Sequence, residues 1–260
     1  MKQAPEALWQ GLPPDWALQL AACCQAADQQ RPAATAVFFR ADDVAVPGRQ
    51  VARLLELFHR QALPLALAVV PAWLTIPRWQ ALCAMGGGRP DRWCWHQHGW
   101  RHQNHETEGK KQEFGPSRSR EILARDLTHG RERLAAIMGT RLTPLFTPPW
   151  NRCSETTLAL LEEMGYKAVS RSRGSRPFAP PGLPDLPVSV DLHTDRAPTA
   201  AVGWQRLKEA LTLGLGRPRC GIMIHHQRMN AAAFVFLEGL LEILSQHPRL
   251  SVVDMRDLIP

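Results

Sequence analysis

Short apolar runs alternate along the chain with longer segments whose apolar positions repeat every three or four residues. The short runs are rich in β-branched and aromatic residues, which is typical of buried strands. They predict strands at residues 35–39, 63–70, 92–98, 142–148, 167–172, 186–193, 221–226 and 250–255. The longer segments predict helices at residues 47–62, 119–139, 154–165, 203–215 and 230–247, because apolar residues at this spacing form one face of a helix.

This alternation predicts an α/β fold, since successive parallel strands need a crossover that is usually a helix. Seven or eight strand–helix units fit a chain of 260 residues and predict a distorted (β/α) barrel of seven or eight parallel strands. A doubly wound open sheet is the alternative. We expect residues 1–34 to form an N-terminal helical extension packed on a barrel domain of residues 35–260.

The composition describes a chain that can bury a large core, with 45% hydrophobic residues. No apolar stretch is long enough for a membrane span, so none is predicted. The N-terminus lacks the basic start and apolar run of a secretory signal, and we expect a cytoplasmic protein. The six cysteines include no CxxC pair and are predicted to be reduced thiols.

The net charge of +7 raises the question of a nucleic-acid partner. The arginines are dispersed along the chain and do not form a basic stripe, so the charge is interpreted as solvated helix faces and no nucleic-acid binding is predicted. Polar residues gather instead at particular points of the predicted sheet.

These polar residues lie at the carboxyl ends of the predicted strands. In a parallel barrel those ends meet on one face, where the active sites of such folds are built. The clusters occupy residues 40–43, 96–102, 147–152, 191–193 and 225–226. We therefore predict that they form a single site.

Four of the ten histidines fall in the segment WHQHGWRHQNH, residues 95–105. His98 and His102 are four residues apart, so a helical turn after the strand would place both imidazoles on one face, where they can chelate one ion. His105 would continue that face and either line the cleft or lie in solvent. His96 is interpreted as a supporting or packing residue.

The adjacent Asp42 and Asp43 have two interpretations. They can cap the following helix, or one can bind a metal ion while the other acts on a water molecule. One aspartate with two histidines leaves coordination positions open, which is typical of a catalytic site. Zn²⁺ is the expected ion, with Fe²⁺, Co²⁺ and Ni²⁺ as alternatives.

The motifs resemble, in order, those of the polysaccharide deacetylases, the NodB-homology or family 4 carbohydrate esterase domain. They are the Asp42-Asp43 pair after the first strand, the His98-x-x-x-His102 motif after the third, a Pro-Pro-aromatic segment and a late apolar strand that ends in histidine. The resemblance covers residues 35–255 and implies a NodB-like distorted barrel.

The resemblance also implies roles for individual residues. Asp42 would be the general base, Asp43, His98 and His102 the metal ligands, and His225 the general acid, with the adjacent His226 as the alternative acid. The implied reaction is the hydrolytic removal of an acyl group from an N-acylated sugar.

Three motifs depart from the family pattern. Arg40-Ala41-Asp42-Asp43-Val44 stands where the family usually has Thr-Phe-Asp-Asp-Gly, Gly99 stands where it has serine or threonine, and Thr147 stands where it has an arginine that orients the base. Either Arg40 or Arg152 is expected to supply the missing guanidinium, or the base is held differently. The residues predicted to contact substrate or to orient the acid are Arg40, Trp150, Asn151, Arg152, Asp191 and His226.

The expected substrate is a nucleotide-linked, lipid-linked or small free saccharide of the cytoplasm. The alternatives are a metal-dependent amidohydrolase acting on a non-sugar amide and a degenerate domain that binds sugar or metal without turnover. The charged loop of residues 103–117 is predicted to border the cleft and to become ordered when substrate binds.

Overall fold

The computed structural model describes residues 5–31 and 33–260, and within them the chain forms eight β-strands and seven α-helices. The strands are β1 Thr35–Val44, β2 Ala66–Val69, β3 Cys94–His98, β4 Leu142–Thr147, β5 Ala168–Val169, β6 Val188–Asp191, β7 Arg219–Ile224 and β8 Leu250–Val252. The helices are α1 Trp16–Gln30, α2 Arg49–Arg60, α3 Ile76–Ala84, α4 Arg120–Met138, α5 Glu155–Glu163, α6 Ala200–Leu215 and α7 Ala231–Gln246.

The sheet has the strand order β5-β4-β3-β2-β1-β7-β6, and β8 pairs with β1. The strand pairs whose registers are defined are parallel. β2 is apolar and buried at every position, as is typical of a strand in a parallel sheet. The α/β fold with seven or eight parallel strands, predicted from the hydrophobic pattern, is confirmed.

The chain divides into two compact units. The first unit comprises the described residues of 1–41, 48–65 and 188–253, and the second comprises residues 42–47, 66–187 and 254–260. The first contains most of β1, strands β6 to β8 and helices α1, α2, α6 and α7. The second contains the carboxyl end of β1, strands β2 to β5 and helices α3 to α5.

The N-terminal segment is part of the first unit. Trp9 is buried and donates a hydrogen bond from Nε1 to the Leu192 carbonyl at 3.0 Å. Trp16, at the start of α1, packs against Phe236 of α7 with ring centroids 5.2 Å apart. Residues 1–4 and Pro32 of the predicted extension lie outside the described residues, and the predicted boundary at residue 34 stays a prediction.

All five helices predicted from the apolar spacing are present, as α2 and α4 to α7. The sequence pattern did not indicate α3, which has nine residues and contains a proline. Thr75 caps this helix by accepting the Arg78 N–H, and Trp79 packs against Trp95 of β3 with ring centroids 4.9 Å apart. Proline inside a pattern suggests a turn in the sequence, although Pro77 lies in the first turn of this helix, where proline is tolerated.

Several strands differ in length from prediction, β1 and β5 among them. β1 continues to Val44, so Arg40, Asp42 and Asp43 lie within the strand and not after it. The Arg40 and Asp42 side chains are buried despite their charge. β5 contains only Ala168 and Val169, a third of the predicted range.

The six cysteines are free thiols, as predicted. Burial raises the pKa of the Cys94 thiol to about 12, so this sulfur is protonated at neutral pH. Among residues 5–31 and 33–260, none of the helices combines the length and apolar character needed to cross a bilayer.

Candidate metal centre

Three side chains of the second unit converge on one point. Asp43, near the end of β1, places Oδ1 3.0 Å from His102 Nε2 and 3.3 Å from His98 Nε2. One ligand atom from each residue lies within 4.8 Å of the other two. The structure therefore brings together the three residues that the sequence analysis assigned as metal ligands.

The ligand histidines are brought together by a loop, and the predicted helical turn after β3 is wrong. β3 ends at His98, and the next helix, α4, begins only at Arg120. Gly99 has φ +59° and His102 has φ +58°, values that a right-handed helix does not contain. His105 consequently does not continue a ligand face, and it lines a separate cavity of about 380 Å³ beside Trp100 and His129.

This loop is held by hydrogen bonds between its backbone groups and other parts of the chain, and not by the hydrogen-bond pattern of a helix. The Gly99 N–H donates to the Thr147 carbonyl at 3.2 Å, and the Gly99 carbonyl accepts from Gln97 Nε2 at 3.0 Å. The Trp100 carbonyl accepts from the Ala72 N–H at 3.0 Å. The loop is thus fixed by contacts to distant parts of the chain, which sequence spacing does not reveal.

The hydrogen bonding of His98 suits a metal ligand. Its Nδ1 lies 2.9 Å from the Thr147 carbonyl, which can only accept, so Nδ1 carries the proton. Nε2 then presents its lone pair towards Asp43 and His102, which is the arrangement of a ligating imidazole supported by a backbone carbonyl. The donor set of one carboxylate and two imidazoles fits a divalent ion such as zinc.

The charges of the ligands are coupled. Burial acts to raise the pKa of Asp43, but the neighbouring His102 and His98 side chains outweigh it and hold that pKa well below its ordinary value. Burial acts to lower the pKa of His102, whereas the hydrogen bond and the charge of Asp43 raise it. Asp43 is therefore an ionised carboxylate at neutral pH, as metal binding requires.

Left-handed backbone conformations concentrate at this centre. Asp43, His102, Trp150 and Asn151 have φ between 57° and 61°. A non-glycine residue there costs about 1 kcal/mol or more and persists where the surroundings impose it, often at functional sites. The Trp150 ring lies 4.5 Å from the His102 ring, and the Trp73 ring lies 5.7 Å from it, so two aromatic side chains flank one ligand.

Thr147, at the position where the family has an arginine, forms a buried pair with His96. Thr147 ends β4 opposite His98 in the register, and its Oγ1 lies 3.0 Å from His96 Nε2. Both side chains are fully buried. His96 therefore supports β4 through Thr147, in the supporting role expected from its alternation with His98 on the strand.

Other predicted site residues of the second unit differ in exposure. Asp42 is 3% exposed, Asn151 is buried beside Trp150, and Arg152 is half-buried.

A second histidine cluster lies in the first unit, after β6 and β7. The His225 N–H donates to His193 Nδ1 at 3.2 Å. Burial holds the pKa of His193 well below its ordinary value, and the charges of His225 and His226 act in the same direction, so His193 is neutral. His225 is half-buried, whereas His226 is 4% exposed.

Asp191 was predicted to orient the acid histidine, but its hydrogen bonds go to its own turn. Its Oδ1 accepts from the backbone N–H groups of His193 at 2.9 Å and Thr194 at 3.0 Å. The side chain that contacts His225 is His193, which the sequence analysis did not select. An aspartate side chain commonly accepts a hydrogen bond from the backbone N–H two residues later. This tendency was the signal in the sequence that Asp191 would bond to its own turn.

Glu113 is a buried side chain that the sequence analysis did not select as a site residue. It lies in the charged loop of residues 103–117, yet it is 1% exposed. Its Oε2 accepts the Trp100 N–H at 3.1 Å and its Oε1 accepts the Arg101 N–H at 2.6 Å. Phe114 and Gly115 are also buried, so this part of the loop is packed against the protein.

Gly99 is required by its surroundings, which accounts for one departure from the family pattern. A Cβ at this position would overlap the Glu113 carboxylate and lie 2.6 Å from Pro149 Cγ. We expect Gly99→Ala to lower the free energy of unfolding by about 2–4 kcal/mol, the sum of left-handed strain and overpacking. Urea denaturation measures this loss.

Gly109→Ala is the matched control, because Gly109 has φ +73° but no atom within 4 Å of an added Cβ. We expect it to cost only about 1–2 kcal/mol. Equal losses in the two variants would show that the contact with Glu113 and Pro149 is unimportant.

No family model and no curated protein matches this sequence. Solved structures do match. A Mycobacterium smegmatis protein proposed to be a polysaccharide deacetylase aligns with TM-score 0.64 and 17% identity, over 86% of this chain and 89% of that one. A CE4 esterase from Streptococcus mutans aligns with TM-score 0.61 and 12% identity, over 90% and 89%.

A third similar structure is a CE4 family pseudoenzyme from Bacillus anthracis, with TM-score 0.55 and 12% identity over 87% of this chain and 66% of that one. At these identities the similarity concerns the fold. The chain therefore has the fold of the CE4 polysaccharide deacetylases, and the resemblance predicted from its motifs is confirmed at that level.

Proposed function

We propose that this protein is a metal-dependent deacetylase that hydrolyses the acetamide of an N-acetylated saccharide. The observation that carries the proposal is the convergence of Asp43, His98 and His102, with the His98 tautomer fixed by a backbone carbonyl. The similarity of the fold to CE4 esterases and deacetylases supports the sugar as substrate.

The three converging residues would hold the ion, and zinc is the proposed metal. A bound divalent ion supplies Lewis acidity towards a carbonyl oxygen and lowers the pKa of water. Asp43 contributes the one negative charge of the ligand set, and the two imidazoles contribute neutral donors. Three protein ligands leave room for substrate, as in catalytic zinc sites.

Asp42 is proposed as the general base. It is buried and directly precedes Asp43, and the motif resemblance implies this role. A general base at this position would take up a proton from a reactant at the metal centre. Arg40, whose side chain is fully buried, and Arg152 stay the two arginines that the sequence offers for orienting it.

His225 is proposed as the general acid that protonates the leaving amine. The resemblance to the polysaccharide deacetylases implies this role for the histidine that follows a late apolar strand, here β7. The partial exposure of His225 favours it over the buried His226. The hydrogen bond from its N–H to neutral His193 fixes the backbone that carries it.

The aromatic residue beside the metal ligands is proposed to contact the sugar. Trp150 packs on His102 and remains partly exposed, as expected for a ring that stacks on a saccharide. Asn151 and Arg152 follow it and are proposed to hydrogen bond to substrate. Whether the saccharide is nucleotide-linked, lipid-linked or free, and where in the cell it is met, stay predictions from the sequence.

Acetate release tests the proposed reaction. Zinc-loaded protein is incubated with a panel of N-acetylated mono- and oligosaccharides, and with non-sugar acetamides, and acetate is quantified. We expect release from at least one saccharide, and none after treatment with a chelator. Turnover confined to the non-sugar amides would support the amidohydrolase alternative.

The acid assignment predicts different outcomes for neighbouring histidines. His225→Ala should lower kcat by about 100- to 10,000-fold, the usual contribution of a positioned acid, while zinc content is retained. His226→Ala, which removes the buried neighbour, should lower kcat less. The reverse order of effects would transfer the acid role to His226.

The second candidate is a domain that binds zinc or sugar without turnover. Thr147 in the family-specific arginine position favours it, and one similar structure is described as a pseudoenzyme. Stoichiometric zinc binding without acetate release from any member of the panel would support this candidate.

A further inference from the structure

We propose that Glu113 is a positioning residue for the metal centre, whose buried carboxylate holds the loop carrying His102 in the ligand-binding conformation. The inference rests on the proposed function, because it assumes that His102 binds the ion. It assigns a role to a residue of the 103–117 loop that neither strand pattern nor motif indicates.

The first observation is the set of groups that Glu113 accepts. Its two carboxylate oxygens take the N–H groups of Trp100 and Arg101, at 3.1 and 2.6 Å. These are consecutive residues that directly precede His102. A carboxylate that accepts two successive backbone N–H groups fixes the peptide planes between them, and charged acceptors form stronger hydrogen bonds than neutral ones.

The second observation is the conformation that these bonds maintain. Gly99 and His102, on either side of the two amides, both have left-handed φ values. A histidine leaves that region readily unless its neighbours prevent it, because the conformation is intrinsically unfavourable. Within the described residues, the Trp100 and Arg101 N–H groups have Glu113 as their hydrogen-bond acceptor. Loss of this carboxylate would free the peptide that leads into His102.

The third observation is that hydrogen bonds from other residues fix the backbone at Glu113 and Phe114. Its carbonyl accepts from Arg118 Nη1 at 3.1 Å, and Arg118 Nη2 binds Asp126 of α4 at 2.6 Å. The next carbonyl, that of Phe114, accepts the Ser154 N–H at 2.8 Å and the Thr157 hydroxyl at 2.9 Å. Glu113 is therefore held against α4 and α5. Its carboxylate can in turn hold the loop that carries His102 in one conformation.

Zinc affinity of Glu113→Gln tests the proposal. The glutamine side chain keeps the size but has one acceptor and one donor group, so it can satisfy only one of the two N–H groups. Zinc is titrated into metal-free protein against a chromophoric chelator. We expect the Kd to rise about 10- to 100-fold, the range known for residues that orient metal ligands. Glu113→Ala should show at least the same rise.

Glu108→Gln is the matched control, because Glu108 is exposed on the same loop and its replacement removes the same charge. Its zinc Kd should stay within about twofold of the native value. If the Glu113→Gln Kd also stays within twofold, the inference is overturned. A native chain that takes up no zinc would contradict the proposed function instead.

Amide hydrogen exchange gives a readout that requires no metal. In zinc-free native protein the Trp100 and Arg101 amides should be protected, and in Glu113→Gln both should exchange at least about tenfold faster, while amides of β3 are unchanged. Unprotected amides in the native protein would overturn the inference even if the variants fail to fold. A variant that is uniformly destabilised, with no selective effect at these two amides, would indicate a role in stability alone.

Discussion

Replacing His98 with alanine is expected to weaken zinc binding by at least about 100-fold. Apparent zinc-binding free energies of four-ligand structural sites are about 10–16 kcal/mol, so one ligand is worth about 3 kcal/mol and its loss at least about 100-fold in Kd. His98 Nε2 is one of three converging donor atoms, and the remaining pair would hold the ion weakly. Zinc content after purification and a competition titration measure the effect.

His129→Ala is the control for this experiment. His129 is an exposed histidine of α4, and its removal should leave one zinc per chain. Native affinity in the His98 variant would show that the ion binds elsewhere or does not need this ligand. Excess zinc should restore the variant only in part, because the missing donor atom is not replaced.

Changing Asp42 to asparagine is expected to leave zinc bound and to lower kcat by about 100- to 10,000-fold. The amide keeps the shape of the side chain but accepts a proton poorly, so the variant separates chemistry from metal binding. The measurements are zinc content and the rate of acetate release, made on the same preparation with the saccharide that the native protein hydrolyses best.

The same chemical change one residue further along, Asp43→Asn, provides the contrast. It removes a negatively charged ligand and should lower zinc affinity and activity together. A zinc-free Asp42 variant that regains full activity with excess zinc would exchange the roles of the two carboxylates. An active, zinc-loaded Asp42 variant would remove Asp42 from the mechanism altogether.

The parts of this site that depend on strand ends could be predicted from the sequence. Asp43 and His98 each close an apolar strand pattern, and parallel strands align such ends. The conformation of His102 could not be predicted in the same way. Spacing of four suggested a helix, but Gly99 turns the chain out of that path and long-range hydrogen bonds fix the result.

Buried polar residues far from the motifs were the main omission. Glu113 lies among charged neighbours in a loop that was predicted to border the cleft, and neither its burial nor its contacts with Trp100 and Arg101 could be predicted from the sequence. Asp191 was selected as the residue that orients the acid histidine, and His193, which follows the same strand, was not. Glu113 contacts Trp100 and Arg101, and His193 contacts the His225 N–H. The residues of each pair are distant in the sequence, so sequence spacing does not reveal the contact.

The left-handed conformations at Asp43, His102, Trp150 and Asn151 have a consequence for protein engineering. Glycine adopts this conformation without strain, so a glycine at position 102 or 151 relieves a local cost of about 1 kcal/mol. A library screened only for heat resistance would therefore tend to accumulate such changes and lose its imidazole ligand. Stabilising substitutions are better sought on the exposed faces of α2 and α6, with zinc uptake included in the screen.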